Sequence, residues 1–168
     1  MKKLFLVAIT ILVAFAFSAC TSTEKTTEEL LTQKKGWVLT SATSVPAFVP
    51  FEGAPNVDLF KSFFYECELD DINIYKVGGD MMLNYGKDIC TGQTGKEEFL
   101  GKWKFIEGKE DVIQTYLTAY YDDKGNYDPL EAKIASISET NLTLVIPIFE
   151  YRKVDPTYTF TLSYKVAK

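Results

Sequence analysis

Hydrophobic and polar residues alternate with a period of two along most of this chain, the spacing of β-strands that bury one face. The alternation is cleanest from Thr157 to Lys168. Tyr158, Phe160, Leu162, Tyr164 and Val166 fall on one face, and Thr157, Thr159, Thr161, Ser163 and Lys165 on the other. Gly36-Trp37-Val38-Leu39-Thr40 opens an earlier strand with Trp37 and Leu39 on one side. Gly101-Lys102-Trp103-Lys104-Phe105 repeats the pattern, turns at Glu107-Gly108-Lys109 and resumes from Val112 to Thr118. Lys133 to Ser138 and Leu142 to Phe149, joined through Glu139-Thr140-Asn141, read as a further hairpin. The pattern predicts eight strands, near residues 36–44, 70–77, 80–86, 99–107, 111–118, 132–138, 142–150 and 157–167. One segment follows helical spacing instead: Val57, Phe60, Phe63 or Phe64, and Cys67 recur every three or four residues behind Asn56 as N-cap.

Eight antiparallel strands with short connections predict an all-β fold, a closed up-and-down barrel with one short helix. Closure removes the unpaired edges at which sheets aggregate. A two-sheet sandwich is the alternative, because periodicity carries no information about closure. Aromatic residues make up 14% of the chain, which suits broad half-buried β surfaces.

The chain has three cysteines, and two of them, Cys67 and Cys90, flank the glycine pair Gly78-Gly79. A two-residue turn at those glycines, both at positive φ, sets Ile74 opposite Leu83, Asn73 opposite Asn84, Ile72 opposite Tyr85 and Asp70 opposite Lys87. The same register sets Cys67 opposite Cys90, as a cross-strand disulfide of about 3–4 kcal/mol by the loop-closure argument. Two separate buried thiols are the alternative reading.

The N-terminus supplies the compartment. Lys2 and Lys3 precede an apolar run from Leu4 to Phe17 and a small-residue cleavage region, the three parts of a secretory signal. The run is short for a bilayer core, which needs roughly 20 residues. Phe17-Ser18-Ala19-Cys20 resembles the lipobox of bacterial lipoproteins, although that pattern favours Leu where this chain has Phe17. The resemblance implies a signal peptide over residues 1–19 and acylation of Cys20 by chains such as palmitate. Each buried CH₂ of such a chain contributes about 0.8 kcal/mol to membrane binding. Residues 20–34 are polar and threonine-rich and read as a flexible tether with a short helical turn from Glu28 to Lys34, leaving 35–168 as the domain. Disulfides persist outside the cytoplasm, in agreement with the staple.

Taken in order, Cys67-x-x-Asp70-Asp71, a glycine turn, Cys90 and Gly101-x-Trp103 resemble the lipocalin-like domains of bacterial lipoproteins. The Trp37 strand behind a Leu-Leu pair, the Ile134 to Leu144 hairpin and Thr157-Tyr158-Thr159-Phe160-Thr161 extend the likeness over residues 30 to 167. It departs at Gly78-Gly79-Asp80, where the family usually has Asp-Gly, and in the insert at 44–56. The motifs are scaffold residues, and the resemblance implies a lipid-anchored barrel of the cell envelope, at the outer membrane, with the periplasmic or surface face left open.

Composition narrows the function. Removing the first 19 of 168 residues leaves 149 and takes Lys2 and Lys3 away, moving the net charge from −5 to −7. An acidic chain with Arg152 as its single arginine lacks the basic footprint that nucleic acid needs. The absence of histidine removes Ser-His-Asp and Cys-His catalysis and weakens a zinc site. Asp70 and Asp71 are neighbours on a strand and point to opposite faces, so they form no carboxylate dyad. Asp122-Asp123-Lys124-Gly125-Asn126-Tyr127-Asp128 lacks the acid spacing of a calcium loop and reads as solvated. Asn141-Leu142-Thr143 is a glycosylation sequon that reads here as a turn. The expectation is a non-enzymatic protein with no cofactor or metal.

Eight strands are near the smallest number that encloses one small ligand, and they are equally able to fill with side chains. The inward candidates are Trp37, Leu39, Ile72, Ile74, Leu83, Tyr85, Trp103, Phe105, Tyr158, Phe160 and Tyr164. Val45 to Phe51 reads as a lid or as a docking segment for another envelope protein. The sequence thus predicts a membrane-bound carrier of a small hydrophobic molecule, with a filled barrel acting through its surface as the alternative.

Overall fold

The computed structural model describes residues 24–48, 60–61, 64–117, 129–149 and 158–168. The signal segment and Cys20, the Asp122–Asp128 loop, and most of the insert and of the helix expected behind Asn56 lie outside the described residues. Eight strands form a closed antiparallel barrel in chain order. They are β1 (Trp37–Val45), β2 (Ile72–Tyr75), β3 (Asp80–Asn84), β4 (Glu97–Ile106), β5 (Lys109–Leu117), β6 (Leu130–Ile137), β7 (Asn141–Phe149) and β8 (Tyr158–Val166). The expected barrel is present and the sandwich is not. A short helix, α1 (Thr27–Leu31), precedes β1, and Glu66–Glu68 forms a 3₁₀ turn before β2.

The weakest seam of the barrel lies between β1 and β2, which meet only at Trp37↔Asn73 and Val38↔Ile72. On its other side β1 runs along β8 from Trp37↔Val166 to Val45↔Thr159. In β4 the register against β3 jumps from Met81↔Gly101 to Met82↔Phe99. The extra residue lets both Leu100 and the Gly101-Trp103-Phe105 row address the interior, a re-aiming that bulges provide. Glycine is required there: a Cβ on Gly101 would lie 2.0 Å from the Tyr116 carbonyl oxygen of β5.

The β2–β3 register differs from expectation by one residue. Ile72 pairs with Asn84, Asn73 with Leu83, Ile74 with Met82 and Tyr75 with Met81. The cause is the turn. Val77, Gly78 and Gly79 form a three-residue loop, closed by the Gly79 N–H donating to Lys76 O and the Lys76 N–H donating to Asp80 O. Both glycines have positive φ, as expected, but Val77 joins them and stands exposed. A one-residue slip exchanges the faces of a strand. Tyr75 and Met81 therefore enter the core, and Ile72 and Ile74 turn outward, against the expectation that they face in.

The disulfide forms as expected, with Cys67 and Cys90 joined at a Cα–Cα distance of 5.3 Å. It is not a cross-strand pair, since Cys67 sits in the 3₁₀ turn and Cys90 in the connection after β3. The Asp70–Lys87 pairing is also recast. Asp70 accepts a hydrogen bond from the Lys87 backbone N–H at 2.5 Å, and Asp71 accepts one from the Gly86 N–H at 3.3 Å. Two carboxylates and one disulfide thus clamp residues 67–71 to 86–90.

The polar segment before β1 is part of the domain's packing. Thr26 and Glu29 form a capping box, in which the Glu29 N–H donates to the Thr26 hydroxyl and Glu29 accepts from the Thr26 N–H. Leu31, expected in a tether, is completely buried, and its carbonyl accepts from the Trp37 indole N–H at 2.9 Å.

Candidate functional site

The barrel interior divides into a packed part and a hollow part. Trp37, Leu31, Trp103, Ile134 and Leu142 form the part of the buried core near the start of β1, continuous through Tyr75 with Ile113, Ala132, Leu144 and Tyr164. Trp103 meets Tyr75 edge to face at 5.7 Å and Phe105 at 5.5 Å, and its indole N–H donates to Lys76 O at 3.1 Å. These contacts satisfy both the quadrupoles and the polar edge of the rings, and the rings fill this part of the interior, beside an open outer groove of about 600 Å³ between α1 and the β4–β5 turn.

Above it lies a cavity of about 260 Å³. Leu100, Ile113, Leu117, Leu130, Ala132, Leu144, Ile146 and Leu162 supply its apolar wall. The small side chains of Ala132 and Thr115 lie beside Ile113 and Leu130 on the paired strands. Polar atoms reach it at few places. The Thr115 hydroxyl donates to Leu130 O at 3.2 Å, and the Asn73 amide donates to Trp37 O at 3.4 Å. Tyr75 and Tyr164 line it too, and burial raises both phenols well above the ordinary tyrosine value, so both stay neutral. At the rim the Tyr85 hydroxyl donates to the Glu98 carboxylate at 2.5 Å.

At the mouth, Phe48 packs edge to face on Tyr158 at 5.2 Å and against Phe160 at 6.1 Å, forming a separate cluster with Ala42. This is the described end of the segment expected as a lid.

Of the eleven residues expected to face inward, Tyr164 is the one that lines the cavity. Trp37 and Trp103 are buried in the solid part, with Leu39 and Phe105 packed on it. Tyr158 and Phe160 belong to the mouth cluster. Leu83 shares the face of Met81, and Tyr85 is spent on Glu98. Ile72 lines an outer groove with Val38, Thr40 and Lys165. The sequence reading missed Asn73, Tyr75, Met81 and Glu98, all by-products of the register and bulge. It also missed the Ile113-Thr115-Leu117, Leu130-Ala132 and Leu144-Ile146 rows, whose period-two alternation was a sufficient signal.

Near the clamp, burial raises Asp71 above the ordinary aspartate value, opposed by the Gly86 N–H and reinforced by Asp70 and Glu68. Among the described residues no cluster of three or more His, Cys, Asp or Glu is placed to hold a metal ion. Also among them, no helix is long and apolar enough to cross a membrane. No family model, curated protein or solved structure matches this chain.

Proposed function

We propose that this chain is a non-enzymatic, lipocalin-like lipoprotein, anchored to the bacterial envelope through acylated Cys20, that binds or sequesters a small hydrophobic molecule inside its barrel. The observation that carries the reading is the hollow itself: about 260 Å³ walled by apolar side chains within a closed barrel. An apolar cavity of about 150 Å³ already accepts benzene, and sites for drug-sized ligands start near 300 Å³. The guest is therefore small, a ring with a short side chain or a short acyl chain.

The test is native mass spectrometry of the full chain purified from its own membranes. A co-purifying small apolar molecule is expected, absent from an Ala132→Phe variant that fills the hollow. Repeated preparations without any guest, in a protein that also rejects added hydrophobic probes, would overturn the carrier reading. The anchor has its own test: an alkyne-tagged palmitate should label the wild type and leave Cys20→Ala unlabelled. The second reading, an envelope interaction module with a filled barrel, draws on the solid packing around Trp37 and Trp103 and would gain from such a null result.

A further inference from the structure

The next inference rests on the carrier reading and specifies the guest's chemistry. Among the described residues lining the cavity, Glu98 carries the one formal charge. Its backbone sits in β4, opposite Leu83 of β3, ahead of the bulge that re-aims the strand. Its side chain is held at the rim because the Tyr85 hydroxyl donates to one carboxylate oxygen at 2.5 Å, the length of a charge-assisted bond. That bond, with burial, raises Tyr85 above the ordinary tyrosine value, so the hydroxyl remains a donor to Glu98 through the physiological range.

The other polar groups of the wall are poor hosts for an anion. The Thr115 hydroxyl and the Asn73 amide are already engaged with backbone carbonyls. The neutral phenols of Tyr75 and Tyr164 offer no charge to offset the cost of desolvating a carboxylate. A fatty acid entering head-first would bury its charge there, and entering tail-first it would hold its charge against Glu98. A molecule with an apolar body and a cationic head meets complementary groups at both ends. Its body faces Ile113, Leu144 and Leu162 while its head reaches the rim carboxylate. We infer that the cavity selects small apolar amines, with the ammonium seated at Glu98, and discriminates against carboxylates of the same shape.

The experiment compares 4-phenylbutylamine, 4-phenylbutanol and 4-phenylbutyrate, three probes of one shape and different charge. Binding to the full chain in phosphatidylcholine nanodiscs is measured calorimetrically against empty nanodiscs. The amine is expected to bind about tenfold more tightly than the carboxylate, the scale of a partly screened ion pair, with the alcohol between them. Added salt should narrow the gap. Glu98→Gln should erase the preference, and Glu98→Lys should invert it. Equal affinity for all three probes, or a preference untouched by both substitutions, would overturn the inference and leave the carrier reading standing. Failure of all three to bind would remove both.

Discussion

At one end of the barrel the strands are joined by short turns at Val77–Gly79, Glu107–Gly108 and Ser138–Thr140, and α1 lays Leu31 beneath Trp37. At the other end the strand termini are farther apart in sequence, separated by residues 46–71, 85–96, 118–129 and 150–157. Two tryptophans and Tyr75 fill the first end, with both indole N–H groups donating to backbone carbonyls and Tyr75 edge to face on Trp103. At the second, leucines, Thr115 and Ala132 surround a hollow, and an aromatic cluster with a clamp of one disulfide and two aspartates holds the rim. The difference separates the part of the fold that carries stability from the part to which binding is assigned by proposal. Large rings close one end into a core, and the smaller side chains of the other end leave a volume of about 260 Å³, the space the proposed guest would take.

The comparison breaks most readily at the solid end. Trp37→Ala should destabilise the protein by about 3–5 kcal/mol, because a completely buried indole leaves a hole its neighbours cannot fill. Equilibrium urea unfolding measures this. Replacing Cys67 and Cys90 together by serine should cost about 3 kcal/mol through restored loop entropy in the unfolded chain. Reductant should then shift the unfolding midpoint of the wild type and not of the variant. Leu162→Ala, beside space that already exists, should fall at the low end for such truncations, about 2 kcal/mol. A cost equal to that of Trp37→Ala would show that the two ends are packed alike.

Two smaller effects sharpen the picture. Asp71 has a folded pKa raised by burial above its unfolded value of about 3.9. In the window between those two values the folded state holds the extra proton, so the Asp71 contribution falls as pH rises through it. Asp71→Asn keeps an oxygen for the Gly86 N–H. It should be more stable than wild type at pH 7, with the advantage fading as pH drops toward the unfolded value. Urea midpoints across that range give the sign. Lys25 reaches Glu139 at 2.6 Å across the solid end, but both side chains are largely exposed. Lys25→Ala should therefore change stability by no more than about 1 kcal/mol, which a thermal melt resolves.

Strand positions were legible in the sequence because each half-buried strand writes its own period of two, and β8 does so almost without fault. The number of strands and the cost of open edges favoured closure, while the alternation itself fitted a two-sheet sandwich as well. The β2–β3 register was not legible. Local matching favours the expected alignment over the Ile72–Asn84 and Asn73–Leu83 pairs that form, and the three-residue turn that sets the register also brings Tyr75 onto Trp103, a contact outside any local window. The buried Leu31 had a local signal in the Thr26-Thr27-Glu28-Glu29 capping box ahead of a leucine pair, masked by the polar composition around it. The cavity had no local signal of its own. It is a deficit of volume summed over residues from seven strands, β2 to β8, and no window of sequence contains it.

The most direct measurement is a crystal structure of the full chain under xenon pressure, since a dry apolar hollow takes up that gas. A xenon atom among Ile113, Ala132 and Leu144, lost in Ala132→Phe, is the predicted result. A barrel that admits no xenon at that site would contradict the account.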